Sequence, residues 1–313
     1  MNERAAGHVG KGTCAGAMMG AQAPASTQAP STTAFVCDVC PHACCLSDGK
    51  LGVCGTRTVR DGRIVSLSYG QATSLALDPI EKKPLARFRP GSLILSYGSY
   101  GCNLRCPFCQ NSDISMADAA SSAADRARFV SPEYLVDEAA SLRDRGNIGI
   151  AYTYNEPFVA PEFLADCAAL ASERGLVNVA VTNGYVSTQT WDAALPYLDA
   201  LNIDLKCYSE EGYRSLGAPG GLAVVKRSIE AAAASDAHVE VTTLVVPGFS
   251  DNEELFAEQC AWLASIDPSI PLHLSRFFPA YRAREKRPTG IDVLERFRTI
   301  AERSLEHVYL GNV

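Results

Sequence analysis

The sequence predicts an α/β fold, a partial (β/α)6 TIM-like barrel with a small Cys-rich module at its N-terminal side. Three observations lead there. From Ser92 onward, short β-rich runs alternate with helix-length segments, the pattern of repeated βα units around a parallel sheet. Polar motifs recur just after those runs, where a β/α barrel builds its active site. Eight of the 12 cysteines fall in two tight groups, which in a reducing compartment reads as metal binding rather than disulfides.

Composition sets the bounds. A chain of 313 residues with 47% hydrophobic content suits one large domain plus an appendage. The net charge of −7 and pI near 5.3 argue against a broad nucleic-acid footprint, which needs clustered Lys and Arg. The run Arg282–Arg287 reads as a local anion contact or a solvated face. No apolar run is long enough for a membrane span and no charged head with an apolar stretch opens the chain, so a cytoplasmic protein without a membrane or nucleic-acid partner is expected.

Taken in order, residues 1–34 are rich in Ala, Gly, Ser, Thr, Gln and Pro without periodicity and are expected to be disordered, with no role for Cys14. Residues 35–85 form the Cys-rich module. Cys37, Cys40, Cys44 and Cys54 are the ligand set for a second metal site, with His42 or Cys45 as substitutes. Spacing leaves a zinc knuckle, an auxiliary iron-sulfur cluster and metal-free thiols all open. Asp61-Gly62 between two β-rich runs predicts a hairpin turn. Residues 86–313 form the core domain, with strands expected at 92–97, 148–153, 176–182, 200–204, 238–246 and 272–277. Ser131-Pro132 predicts a capped helix start, and Ser250 with Glu253 a capping box. Cys167 and Cys260, in helix-like segments, read as small buried residues.

The loop after the first strand carries Cys102, Cys106 and Cys109 within eight residues. Three thiolates without a local fourth suit three corners of a cubane iron-sulfur cluster whose fourth iron stays open; a zinc knuckle with a distant fourth ligand is the alternative. Asn155 and Glu156 follow the second strand, Asn183 the third, and Asp204 and Lys206 the fourth, while His273 lies on the sixth. Each has a bland reading as a turn, a surface pair or a core histidine. Together, on one barrel face, they read as a cradle for a polar ligand. Lys82 and Lys83, just ahead of the first strand, are expected at the rim.

The C-x3-C-x2-C spacing, with Phe108 before the third cysteine, resembles the signature of the radical S-adenosylmethionine (SAM) superfamily. The motifs at 37–44, 78–85, 101–111, 152–157 and 309–313 look more specifically like the radical SAM member of the AmmeMemoRadiSam system, which is similar to pyruvate formate-lyase activating enzymes. That resemblance implies a [4Fe–4S] cluster on Cys102, Cys106 and Cys109 and SAM on its open iron. Phe108 would lie near the adenine, and Asn155, Glu156, Asn183, Asp204, Lys206 and His273 would contact SAM. It also implies reductive SAM cleavage to a 5′-deoxyadenosyl radical that abstracts hydrogen from a peptide, protein or small molecule. A glycyl-radical activase is one alternative, and a non-catalytic iron-sulfur or zinc carrier another. The implied partners are an electron donor such as flavodoxin or ferredoxin, and Memo-like and AMMECR-like proteins. The sequence departs from the pattern in two places. Tyr154 and Asn155 stand where activases have glycines, and relatives commonly continue beyond Gly311-Asn-Val313 with another C-x2-C pair.

Overall fold

A computed structural model describes residues 34–116 and 120–313, so the expectation for residues 1–34 lies almost wholly outside the described residues. The main sheet has eight strands: β1 (Ser74–Pro79), β2 (Leu93–Gly98), β3 (Asn147–Tyr152), β4 (Val177–Thr182), β5 (Ala200–Asp204), β6 (His238–Val245), β7 (Leu272–Arg276) and β8 (Val308–Gly311). They lie side by side in chain order. β2 to β8 are parallel, β1 runs antiparallel to β2, and β1 and β8 are the edges of a barrel that does not close.

All six expected strands are present within a residue or two. The two edges were not expected, and β1 lies inside the segment that composition assigns to the N-terminal module. The hairpin at Asp61-Gly62 forms as expected, joining Arg57–Arg60 to Arg63–Ser66. Both turn residues have positive φ, 50° and 70°, as a two-residue hairpin turn requires.

The helices Pro132–Ser141 (α1), Pro161–Glu173 (α2), Thr188–Ala194 (α3), Gly221–Ala233 (α4), Glu253–Ile266 (α5) and Ile291–Ala301 (α6) cover the convex side. Side chains alternate across each strand. Leu95, Ile150, Leu201 and Ile203 therefore pack outward in one cluster with Leu135, Phe163 and Val225 of the helices. Ile94, Ala151, Val177, Val179 and Ala200 point the other way and meet Ile80 and Leu85. Ile80 and Leu85 belong to the segment between β1 and β2, which closes the N-terminal mouth: Asn202 Nδ2 donates to Pro84 O at 2.8 Å, and the N–H groups of Ala86 and Arg87 donate to Glu240 at 2.9 and 2.8 Å.

Ser131 caps α1, accepting from Tyr134 N–H at 3.2 Å. The expected capping box at Ser250 is corrected. Its hydroxyl donates to Leu244 O and accepts from Val246 N–H, and the cap of α5 is Asn252, which accepts from Leu255 N–H at 2.9 Å. Among the described residues no helix is long and apolar enough to cross a membrane.

Candidate active site

The loops after β2, β3, β4, β5 and β6 share the C-terminal face, and the loop after β2 is tied to its neighbours. Asn155 accepts from Ser99 N–H at 2.9 Å and donates to Gly101 O at 3.1 Å. Asn111 donates to Tyr154 O at 2.8 Å. Arg105 donates from Nη1 to the carbonyls of Cys102 and Leu104 at 3.0 and 3.1 Å. This brace was not anticipated, although the arginine stands between two of the motif cysteines.

Cys102, Cys106 and Cys109 sit together on this loop, and burial pushes each thiol above its ordinary range, Cys106 to about 12. Glu156 and Asp204 add to that shift, while other neighbours work against it. Leu104 N–H and Asn183 Nδ2 donate to Cys102 Sγ at 3.4 and 3.5 Å, and the Lys206 ammonium opposes the burial effect on Cys106 and Cys109. Among the described residues no group of three or more His, Cys, Asp or Glu side chains is drawn tightly enough around one point to hold a metal ion. A cubane holds its cysteine sulfurs at separate corners, wider apart than the ligands of one ion. Three thiols on one loop, with N–H donors on Cys102 and an ammonium near Cys106 and Cys109, suit that wider group.

Lys206 and Asp204 form an ion pair at 2.6 Å, both partly exposed. For Lys206 burial alone would lower the pKa, but Asp204 and the nearby thiols outweigh it and hold the ammonium above the usual lysine range. Phe108 is buried, its ring centroid 5.0 Å from that of Phe249 in the loop after β6. Asn183 also donates to Asn103 Oδ1 at 2.9 Å, fixing the loop residue between Cys102 and Leu104.

Glu156 lies deeper than the expected cradle. Its Oε1 accepts from Thr182 Oγ1 at 2.8 Å and Phe158 N–H at 3.1 Å, and its Oε2 accepts from Asn183 N–H at 2.8 Å. Burial nevertheless raises its pKa to about 7. Asn155 and Glu156 thus form the wall that holds the thiol loop against the end of β4.

His273 is not brought to this group. Its Nε2 lies 2.6 Å from Glu240 Oε2, its ring stacks on Tyr309, and Glu240 also meets His238 and the N–H groups at the N-terminal mouth. A buried carboxylate needs such partners, and supplying them is where the His273 ring is engaged. Of the two expected rim lysines Lys83 is corrected, being 2% exposed and paired with Asp78 at 3.0 Å, whereas Lys82 is exposed.

Cys37, Cys40, Cys44 and Cys54 line one cavity with His42, Arg57 and Asn103. Val53 N–H donates to Cys44 Sγ at 3.4 Å, and Thr56 Oγ1 lies 3.3 Å from Cys54 Sγ. Arg57 Nε, buried, has no hydrogen-bond partner among the described residues, while its Nη1 pairs with Glu162. His42 Nε2 is 2.7 Å from Asn103 O, so the cavity abuts the thiol loop. Gly101 marks the same contact: a Cβ there would come 2.3 Å from Thr56 and 2.8 Å from Cys54 O.

Known proteins bear on this geometry. An uncharacterised protein of Methanocaldococcus jannaschii is 38% identical over 281 residues, covering 88% of this chain and 81% of that protein. A radical SAM methyltransferase from Sphaerobacter thermophilus aligns with a TM-score of 0.54 at 16% identity, over 81% of this chain and 71% of its own. A domain of pyruvate-formate lyase-activating enzyme from Bacteroides vulgatus aligns with a TM-score of 0.45 at 20% identity, over 52% of this chain and 99% of that domain. At such identities the likeness to solved structures concerns the fold alone. Residues 96–260 match the radical SAM superfamily, more than half of the sequence and all of the three-thiol loop, and the chain belongs to that superfamily.

Proposed function

We propose that this chain cleaves SAM reductively and uses the product to abstract hydrogen from a peptide, protein or small-molecule substrate held inside the open barrel. Superfamily membership implies a [4Fe–4S] cluster and SAM. When bound, that pair supplies electron transfer into the sulfonium and a carbon radical strong enough to break a C–H bond. The observation that carries the reading is the C-terminal face itself, where three thiols share one loop and the Asn183 amide and the Lys206 ammonium approach them from the loops after β4 and β5.

The chain's own residues have distinct tasks in this reading. Cys102, Cys106 and Cys109 hold the cluster. Asn155, Glu156 and Arg105 keep their loop in one conformation, because misplaced reacting groups lose most of the advantage of being bound together. Asp204 and Lys206 face the polar groups of SAM. Phe108 and Phe249 cover one side and exclude water. His273 has no part in SAM binding.

The motifs at 37–44, 78–85 and 309–313 favour the AmmeMemoRadiSam branch, with Memo-like and AMMECR-like proteins as partners and a flavodoxin or ferredoxin as electron donor. Cys37, Cys40, Cys44 and Cys54 line one cavity without converging on one point, which favours an iron-sulfur cluster over a single zinc ion as the second metal centre. A metal bound by four thiolates is anionic overall, which suits the unpartnered Arg57 N–H beside it.

Electron paramagnetic resonance tests the catalytic centre. After anaerobic reconstitution and reduction, the wild-type protein should give a cluster signal that changes when SAM is added. Cys106→Ala should lose that response. A SAM-independent spectrum in the wild type, or an unchanged response in the variant, defeats the assignment.

A further inference from the structure

The loop after β7, residues 277–290, gathers positive charge at the edge of the thiol loop. Arg284, Lys286 and Arg287 are all exposed, and Glu285 is the one acid among residues 284–287. Three cations thus stand against one carboxylate in a chain whose net charge is −7. Among the described residues none of the three pairs with a carboxylate. Lys286 Nζ donates to Pro247 O at 2.6 Å, a contact that leaves its charge uncompensated.

The loop is fixed at its ends and in its middle. Arg276 Nε donates to Thr289 O at 2.8 Å and Thr289 N–H to Phe277 O at 3.2 Å, which ties the two ends together. The Thr289 hydroxyl donates to Val245 O, at the end of β6, at 2.5 Å. In the middle Ala283 is buried, and Arg282 N–H donates to Pro107 O at 2.9 Å. Pro107 follows Cys106 directly, so the exposed cations begin two residues beyond a hydrogen bond to the thiol loop itself.

A flexible tail could spread like charges apart, whereas a loop held at three points keeps them together and concentrates their field. The same loop shows Phe278, 40% exposed, with the Arg276 guanidinium 4.9 Å from its ring centroid. Exposed aromatic and arginine side chains on one rigid loop have the composition of a protein contact rather than of a solvated face. Of the reactants in the reading above, the substrate has to meet SAM, and the electron donor has to approach the group on the thiols. A surface bonded to the thiol loop suits the donor.

We propose that Arg284, Lys286 and Arg287 dock the acidic face of a one-electron carrier protein against the thiol loop. The inference rests on the preceding reading that SAM is cleaved reductively. The step is the transfer of one electron: the carrier is oxidised by one, the cluster is reduced by one, and no bond forms or breaks in either.

Stopped-flow spectroscopy tests this on the full chain, anaerobically reconstituted and supplied with SAM. Reduced flavodoxin and reduced ferredoxin are the protein donors, and photoreduced deazariboflavin is the small uncharged one. At an ionic strength of about 0.01 M, Arg284→Glu/Arg287→Glu should accept electrons from at least one protein donor ~10-fold or more slowly than the wild type, and Arg284→Lys/Arg287→Lys should stay close to it. The difference should shrink at about 0.15 M, where the screening length falls from about 30 to about 8 Å. Deazariboflavin should reduce the cluster equally in all three proteins, as the electron paramagnetic resonance signal reports. A wild type that deazariboflavin reduces and neither protein donor does overturns the proposal. So does a protein-donor rate unchanged by the charge reversal, which would leave the segment to another anion such as an acidic peptide. The deazariboflavin arm is read separately, so loss of the radical SAM reading is distinguishable from loss of this surface.

Discussion

Glu156 is a motif residue whose carboxylate oxygens are taken by the protein's own donors. Its three protein donors, Thr182, Phe158 N–H and Asn183 N–H, stabilise the charged form, while burial and the neighbouring Asp204 and Cys102 oppose it. Opposition wins, and the pKa rises from 4.5 to about 7. The folded state thus holds this proton more tightly than the unfolded chain does. Stability from this group is fully present below pH 4.5 and is lost as pH rises through about 7, by roughly 3 kcal/mol in all. Urea unfolding of the metal-free protein at about pH 5 and about pH 8 should show that loss in the wild type, and Glu156→Gln should remove most of it. An identical pH dependence in both proteins would mean that Glu156 is ionised throughout. Its motif position was legible in the sequence. Its orientation was not, because the donors that claim its oxygens come from β4 and from its own following turn.

At the scale of elements, the β-rich runs at 92–97, 148–153 and 200–204 were legible because apolar β-formers end there in polar turns. β8 was not, since it is only four residues long, nor was β1, whose Asp78-Pro79 end reads as a turn. Ser250 fits a capping box by spacing, but the carbonyl of Leu244 takes its hydroxyl and Asn252 becomes the cap. Lys83 was expected at the rim because lysines are seldom buried without a partner; Asp78 supplies one. The N-terminal module has a small apolar core of Cys37, Val39, Leu46 and Val59, too little to stand alone without a staple. Removing the catalytic cluster ligands by Cys102→Ala, Cys106→Ala and Cys109→Ala together leaves the module's thiols as the remaining grouped set. Elemental analysis of that protein after anaerobic purification and reconstitution should find about one zinc per chain, or the iron and sulfide of one cluster. A metal-free protein would mean that the module is held by packing against Gly101 and the barrel.

Across the whole molecule, the sheet order places every loop from β2 to β6 on one face and leaves the barrel open between β1 and β8. The segment between β1 and β2 closes the opposite mouth, with Glu240 clamping Ala86 and Arg87 and taking His238 and His273 as partners. The thiol loop and the polar residues grouped with it therefore lie on the C-terminal face, while Ile80 and Leu85 pack against the inward side of the strands. The most direct measurement is 5′-deoxyadenosine by liquid chromatography, from anaerobically reconstituted protein given SAM and a strong one-electron reductant. The wild type should form it and Cys106→Ala should not; no product from a wild-type protein with a full complement of iron and sulfide, or equal product from both, would contradict the account.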